Sequence, residues 1–359
     1  MGRGHWGEVF LGRSDAANND GQLVAIKVMP LEEGVPSLLQ READVLSAVG
    51  DQVGFPALLH HGRQSVFGRD SDVLVMELLG ESVASRCAEQ AAPDFCEGRQ
   101  LNGAGVARIG MDLVRCLRAL HAAKYVHNDL KPQNMLFGAP GTAREDHVHL
   151  IDFGMVTRPG DERDTAPCEE ELEYGGGTPL FASLAEHEGR PTAAKDDLES
   201  LWYCLAFLVH GTLPWQWETP DRAANIKRRL FIDGCAIAMP ADDDIGDDGC
   251  TAKLDLDDCC STAHCFDTVQ GWLDGVPPAQ PNMVDAAEAI NALWYQVLAC
   301  NESGDGTVDY DACIEALSGV SANEDEEEEE EVAAEEASVG SADGAWGAAP
   351  DGFEWGAVY

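Results

Sequence analysis

The sequence predicts an α+β fold of two lobes, a small β-rich one followed by a larger helical one. Two observations carry this. Between Gly2 and about Glu77 the apolar residues fall in short runs, "EVFLG", "LVAIKVM" and "DVLVMELL", bounded by Gly, Asp and Asn as strands are. From Gly103 the apolar residues recur at helical intervals instead, with Val106, Ile109, Leu113, Leu117 and Leu120 forming one stripe that runs to His121. The expected division is 1–80 for the small lobe and the joint, 81–320 for the large lobe, and 321–359 for a tail.

The elements follow in order. Gly2, Gly4 and Gly7 open the chain with the spacing of a glycine loop, and Glu8 to Gly12 then reads as a strand. Such a loop needs a strand on each side, so a further apolar strand before Gly2 is expected, and Met1 is not expected to be the natural start. The next run places Lys27 on a strand. One helix interrupts the strands, "SLLQREADVLSAV", in which Leu38, Leu39, Glu42, Val45, Leu46 and Val49 recur at helical spacing. In the second part, Asp197 to Val209 and Asp285 to Leu298 read as buried helices. Between them, 241–281 is rich in Asp, Gly and Pro with weak periodicity, and is expected to be an acidic insertion or long loop. After Leu317 the pattern fails: "NEDEEEEEEVAAEE" is a like-charge block that cannot bury apolar surface and is expected to stay disordered. The last residues, "GAWGAAPDGFEWGAVY", are either a flexible end or a short docking motif.

Composition narrows the function. Hydrophobic residues are 45% and charged residues 25% of 359, a globular balance, yet the net charge is −42. The residues after Arg229 hold 31 acids against one base, Lys253. A nucleic-acid partner is therefore not expected, because neutralising phosphates takes clustered basic side chains. No apolar run has the length of a membrane span, and no N-terminal segment has the form of a secretory signal. The expectation is an intracellular monomer, cytoplasmic or nuclear, with its 12 cysteines as reduced thiols. Cys259, Cys260, His264 and Cys265 cluster without the paired Cys-x-x-Cys spacing of a zinc site, so incidental thiols are the preferred reading.

The chemistry lies in an ordered set of motifs. Alone, Gly2-x-Gly4-x-x-Gly7 suits a dinucleotide fold as well, but a dinucleotide loop leads into a helix and this one continues as a strand. Lys27 on the following strand is then the residue that would hold nucleotide phosphates, with Glu42 on the only nearby helix to position it; either alone would pass for a surface residue. "YVHNDLKPQNMLF" sets Asp129, Lys131 and Asn134 at the offsets of a phosphoryl-transfer catalytic loop, in which the Asp receives a hydroxyl proton and the Asn holds Mg²⁺. "LIDFG" supplies Asp152, which would hold the Mg²⁺ that bridges the phosphates.

These stretches resemble eukaryotic protein kinases, and within them the casein kinase 1 superfamily, over roughly residues 2 to 317. Three further segments carry that branch: "VMELLGESV", "GTPLFASLAEHEG" in place of the Ala-Pro-Glu of most kinases, and "KDDLESLWYCLAFLVHGTLPW". The resemblance implies a two-lobed kinase fold and ATP and Mg²⁺ as cofactors. It places Gly2, Gly4, Gly7, Val9, Ala25, Lys27, Glu42, Met76, Glu77, Leu79 and Leu136 around the nucleotide, with Met76 as gatekeeper. Asp129, Lys131, Asn134 and Asp152 would carry catalysis, the last two as metal ligands. It implies transfer of the γ-phosphoryl group of ATP to Ser or Thr of protein substrates, in an acidic sequence context. A pseudokinase or binding scaffold with an acidic tail is the alternative. "NESGDGTVDYDA" mimics a calcium loop, but Ala312 stands where its bidentate Glu belongs, and "VDYDACIEAL" is similar to the segment that ends the family's kinase domain.

Two departures matter. Asn128 stands where many kinases have the Arg that clamps a phosphorylated activation segment, so activity is expected not to depend on a phosphate there. Leu180 stands where casein kinase 1 enzymes have an Arg that meets acidic or phosphorylated substrates, leaving Arg190, Lys195 and the run Lys227, Arg228, Arg229 as the candidate basic partners.

Overall fold

The structure is a computed structural model that describes residues 8–14, 21–31, 37–50, 52–90, 101–158, 179–228, 283–302 and 307–320. Gly2, Gly4 and Gly7, the acidic stretch 241–281, the cysteine cluster 259–265, Arg229 and the tail lie outside the described residues.

The small lobe is an antiparallel sheet of β1 (Glu8–Arg13), β2 (Leu23–Pro30), β3 (Leu58–Val66) and β4 (Arg69–Glu77) in the order β1-β2-β4-β3. β2 and β4 are central and supply the buried Val24, Val28, Val73 and Leu74. β3 was not apparent in the sequence, because "LLHHGRQSV" is mostly polar and its residues are half-buried or exposed, as suits an edge strand. The β3–β4 turn is made by Phe67 and Gly68, both at positive φ (51° and 77°), the backbone that a two-residue hairpin requires. Across the sheet lies α1 (Leu38–Val49), whose buried face is Leu39, Glu42, Ala43, Val45, Leu46 and Val49. Five of these are apolar or Ala. The sixth, Glu42, is an acid that burial forbids without a partner.

The large lobe begins with α2 (Val83–Gln90) and α3 (Gly103–Ala122). The Asn102 side chain caps α3 by accepting from the Gly105 N–H at 2.8 Å, and Val106, Ile109, Leu113, Leu117 and Leu120 form its buried stripe. A hairpin of β5 (Met135–Phe137) and β6 (Val148–Leu150) follows, then the short helix α4 (Leu184–His187) and α5 (Ala194–His210). α5 is buried from Asp196 to Ala206 and stops at Gly211, whose φ of 73° ends the helix in the left-handed region. It is the axis of the lobe: Trp202 packs on Trp294 with ring centroids 4.3 Å apart and donates its indole N–H to the Ile290 carbonyl at 3.1 Å. α6 (Pro220–Arg228), α7 (Val284–Glu302) and α8 (Tyr310–Ser318) complete the described helices. Ala312, read against a calcium loop, lies in α8, and Asp309 caps that helix by accepting the Ala312 N–H at 3.0 Å. Among the described residues no helix is long and apolar enough to cross a membrane.

The lobes join after β4. The Glu77 N–H donates to the Ala57 carbonyl at 2.9 Å, and Gly80 and Phe137 bind the joint to β5 through Gly80 N–H to Phe137 O (2.8 Å) and Phe137 N–H to Glu81 O (2.9 Å). The approach is close: a Cβ on Gly80 would lie 2.6 Å from the Gly138 carbonyl oxygen, so only glycine fits. Arg144 pairs with the Glu77 carboxylate from the β5–β6 connection, so the joint is held by side chains as well as backbone.

Candidate active site

Four segments meet at the cleft between the lobes: β2 brings Lys27, α1 brings Glu42, the loop after α3 brings Asp129, Lys131 and Asn134, and the segment after β6 brings Asp152. The Lys27 Nζ donates to Glu42 Oε2 at 2.7 Å and to Asp152 Oδ1 at 3.1 Å. Burial works to lower the Lys27 pKa, but the two carboxylates outweigh it and hold the ammonium charged well above the usual lysine range. The carboxylates differ. Burial pushes Glu42 up against the pull of Lys27, whereas for Asp152 the attraction of Lys27 outweighs burial and holds the group below its ordinary value. Asp152 is thus the firmly ionised one, and its backbone lies in the left-handed region at φ 66°, an uncommon setting for a residue with a side chain.

On the facing side, Lys131 Nζ donates to Asp129 Oδ2 at 2.7 Å, and the Asn134 amide nitrogen donates to Asp129 O at 2.9 Å and Oδ2 at 3.0 Å. With that nitrogen engaged, the amide oxygen of Asn134 is the atom left to ligate a cation. Burial raises the Asp129 carboxyl, with Lys131 opposing, which suits a group that accepts a proton.

Residues that the motifs did not single out hold this loop. The Asp129 N–H donates to His127 Nδ1 at 3.2 Å, which makes the other ring nitrogen the donor, and His127 Nε2 meets the Ile151 carbonyl at 3.2 Å. His127 therefore ties the loop to the residue before Asp152. Asp197 of α5 accepts the His127 N–H at 2.7 Å and the Asn128 N–H at 3.0 Å. Burial alone would raise Asp197, but the hydrogen bond from His121 and the backbone donors of the loop outweigh it and hold it below its ordinary value. The signal in the sequence was there: Asp196, Asp197 and Glu199 are acids at the start of an otherwise apolar helix, and such acids are buried only with partners.

Asn128 has φ 63° and a fully used side chain. Its amide nitrogen donates to Val126 O, Met155 O and Thr157 Oγ1 at 3.0–3.1 Å, and its oxygen accepts from Thr192 at 2.5 Å. With the Val126–Thr157 bridge, this fastens the start of the activation segment to the catalytic loop without a phosphate.

Of the residues expected around a nucleotide, Val9 is opposite Lys27 and Ala25 opposite Met76 in the sheet register, Met76 is buried, and Glu77 and Leu79 lie at the joint. Leu136 of β5 bridges to Ser82 just beyond it. One of the candidate basic partners needs correction, Lys227. Lys227 is fully buried, donating to the carbonyls of Pro179 (2.9 Å), Leu180 (3.2 Å) and Ala182 (2.7 Å) beneath the rings of Tyr203 and Trp215. Arg190 and Arg228 both pair with Glu188, and Lys195 pairs with Asp196. Lys227 braces the segment beside it and is out of reach of any substrate anion.

His187 shares that pocket, with Nε2 3.1 Å from both Pro179 O and Lys227 Nζ. Burial first, then Lys227, lowers its pKa to about 4. A group whose folded pKa lies below its unfolded 6.5 contributes stability above pH 6.5 and loses it as the pH falls toward 4, at up to about 1.4 kcal/mol per unit. The thermal midpoint should fall more steeply between pH 6.5 and 4 for the wild type than for His187→Gln, whose side chain has no proton to take up; parallel curves would contradict it.

The comparisons agree with this geometry. The protein kinase domain family matches residues 1–251. The chain is 31% identical over 229 residues to casein kinase 1-like protein HD16 of Oryza sativa subsp. japonica, covering 62% of this chain and 31% of that protein. It is 30% identical over 231 residues to casein kinase I homolog 2 of Schizosaccharomyces pombe (64% and 49%), and 29% over 218 residues to casein kinase I homolog 3 of the same yeast (60% and 46%). The matched stretch spans between about a third and half the length of these relatives. The chain belongs to the protein kinase family, and within it is similar to the casein kinase 1 proteins.

Proposed function

We propose that this protein is a serine/threonine kinase that transfers the γ-phosphoryl group of ATP, with Mg²⁺, to hydroxyls of protein substrates. The observation that carries the reading is the Lys27 ammonium held between Glu42 and Asp152, because it joins sheet, helix and metal-binding segment in the arrangement phosphoryl transfer requires. The residues fit both cofactors. The Glu77 N–H is already taken by Ala57, so the Glu77 carbonyl and the Leu79 backbone would meet adenine, between Ala25 and Leu136. Mg²⁺ favours one or two carboxylate or amide oxygens plus phosphates over an all-protein cage, and Asp152 with Asn134 supplies such a set. Bound metal would neutralise charge on the phosphates. Lys27 would fix the nucleotide, Asp129 would orient the substrate hydroxyl and take its proton, and Lys131 would offset charge on the phosphoryl group in transit.

The test is phosphate transfer from labelled ATP to a mixed protein substrate, with Asp129→Asn as comparison. A loss of at least about a thousandfold is expected in the variant, since it removes the proton acceptor and its grip on Lys131. No transfer by the wild type above that of Asp129→Asn would favour a binding scaffold. Asn128 adds a second expectation. Phosphatase treatment of the active enzyme should leave its rate within about twofold, because the contact a phosphate would make is replaced by Thr157 and Thr192. A large reversible loss mapping to residues 155–178 would refute it.

A further inference from the structure

The last described helix reaches the catalytic loop through side chains. The Tyr310 hydroxyl is 2.6 Å from His121 Nδ1, and His121 Nε2 is 2.7 Å from Asp197 Oδ2. Asp197 in turn holds the backbone N–H groups of His127 and Asn128, the two residues that precede Asp129. The roles along this line are set by chemistry. Asp197 is an ionised acceptor, so His121 Nε2 donates to it; in the tautomer with its proton on Nε2, Nδ1 is the acceptor and Tyr310 donates. Burial, and after it the charge of Asp197, push the Tyr310 phenol above its ordinary range, so it keeps the proton it donates. The His121 and Asp197 side chains are 6% and 2% exposed, so water does not stand in for either partner.

We propose that Tyr310 is a positioning residue for the catalytic loop: its hydroxyl selects the His121 tautomer that donates to Asp197, and Asp197 so held fixes the backbone that presents Asp129. The inference deepens the kinase reading and rests on it for its catalytic consequence. It makes α8 part of the apparatus of transfer, so whatever displaces α8, including anything that pulls on the chain following it, would change the rate. A helix serving only to cover the lobe would have no such effect. The other side-chain tie between α8 and α3, Arg118 to Asp311 at 2.8 Å, is solvent-exposed and supplies the control.

The experiment compares wild type, Tyr310→Phe and Asp311→Ala in the full chain by hydrogen exchange of peptides covering 125–131 and by steady-state kinetics. For Tyr310→Phe, exchange at the His127 and Asn128 amides should rise about tenfold and kcat fall by a similar factor, the scale of one lost hydrogen bond, while the KM for ATP and exchange within α5 stay as in wild type. Asp311→Ala should match wild type in all of these. The proposal is overturned if Tyr310→Phe leaves both loop exchange and kcat unchanged, or if exchange rises evenly across α3, α5 and α8 with kcat unchanged. If the wild type itself shows no transfer above Asp129→Asn, the kinase reading fails, and loop exchange still decides the coupling.

Discussion

Lys27→Met should lower phosphoryl transfer by at least about a thousandfold while the protein stays folded, because the interactions it removes are electrostatic ones aimed at the phosphates. The structural reason is that Lys27 is the only side chain bonded to both Glu42 and Asp152 among the described residues. Without it, two carboxylates face each other across the cleft. Glu42, already raised by burial, would take up a proton, whereas Asp152 would lose the attraction that keeps it ionised. Glu42→Gln should be milder, since Asp152 still holds the ammonium. Circular dichroism would establish that the variants are folded, and transfer rates at saturating ATP would read the effect. Retained transfer in Lys27→Met would remove the nucleotide role assigned to this cluster.

The second large effect is on stability. Lys227→Met keeps the length of the side chain and its contact with the Tyr203 and Trp215 rings, but strips the donor from three buried carbonyls, those of Pro179, Leu180 and Ala182. Leaving a buried carbonyl without its donor costs about 1–3 kcal/mol for each one that finds no other partner. The loss should concentrate in the segment beside α4, so cleavage by a protease near 179–183 should speed up before global unfolding does. Chemical denaturation and limited proteolysis would check both parts. A midpoint equal to that of the wild type would show that the carbonyls find other donors.

Much of the site was legible in the sequence because phosphoryl transfer ties particular residue types to short, fixed offsets. Asp129, Lys131 and Asn134 lie within one loop, and Glu42 stood out as the acid on the helix nearest Lys27 in sequence. Helical stripes such as that of α3 were equally plain. What remained hidden depends on contacts between distant segments. β3 is an edge strand whose polar composition gives no alternation. Lys227 and Arg228 stood in the sequence as candidate basic partners for an acidic substrate, and only the packing of α6 against the segment after Thr178 shows one buried and the other paired with Glu188. Asp197 and His121 are 76 residues apart, a pairing that no local spacing announces.

The same buried lysine has a chemical reactivity at odds with its accessibility. Burial lowers the Lys227 pKa to about 7, against the pull of Glu199 and Glu186, so near neutral pH a substantial share of it is free amine, the form that attacks acylating reagents. Lys27, held charged, is the opposite case. A reagent in solution nevertheless cannot touch Lys227 while the closed segment covers it. Covalent capture of this amine therefore counts the moments when the segment lifts, and the rate of its labelling, set against that of an exposed lysine, would measure how seldom the cover over residues 179–182 comes apart.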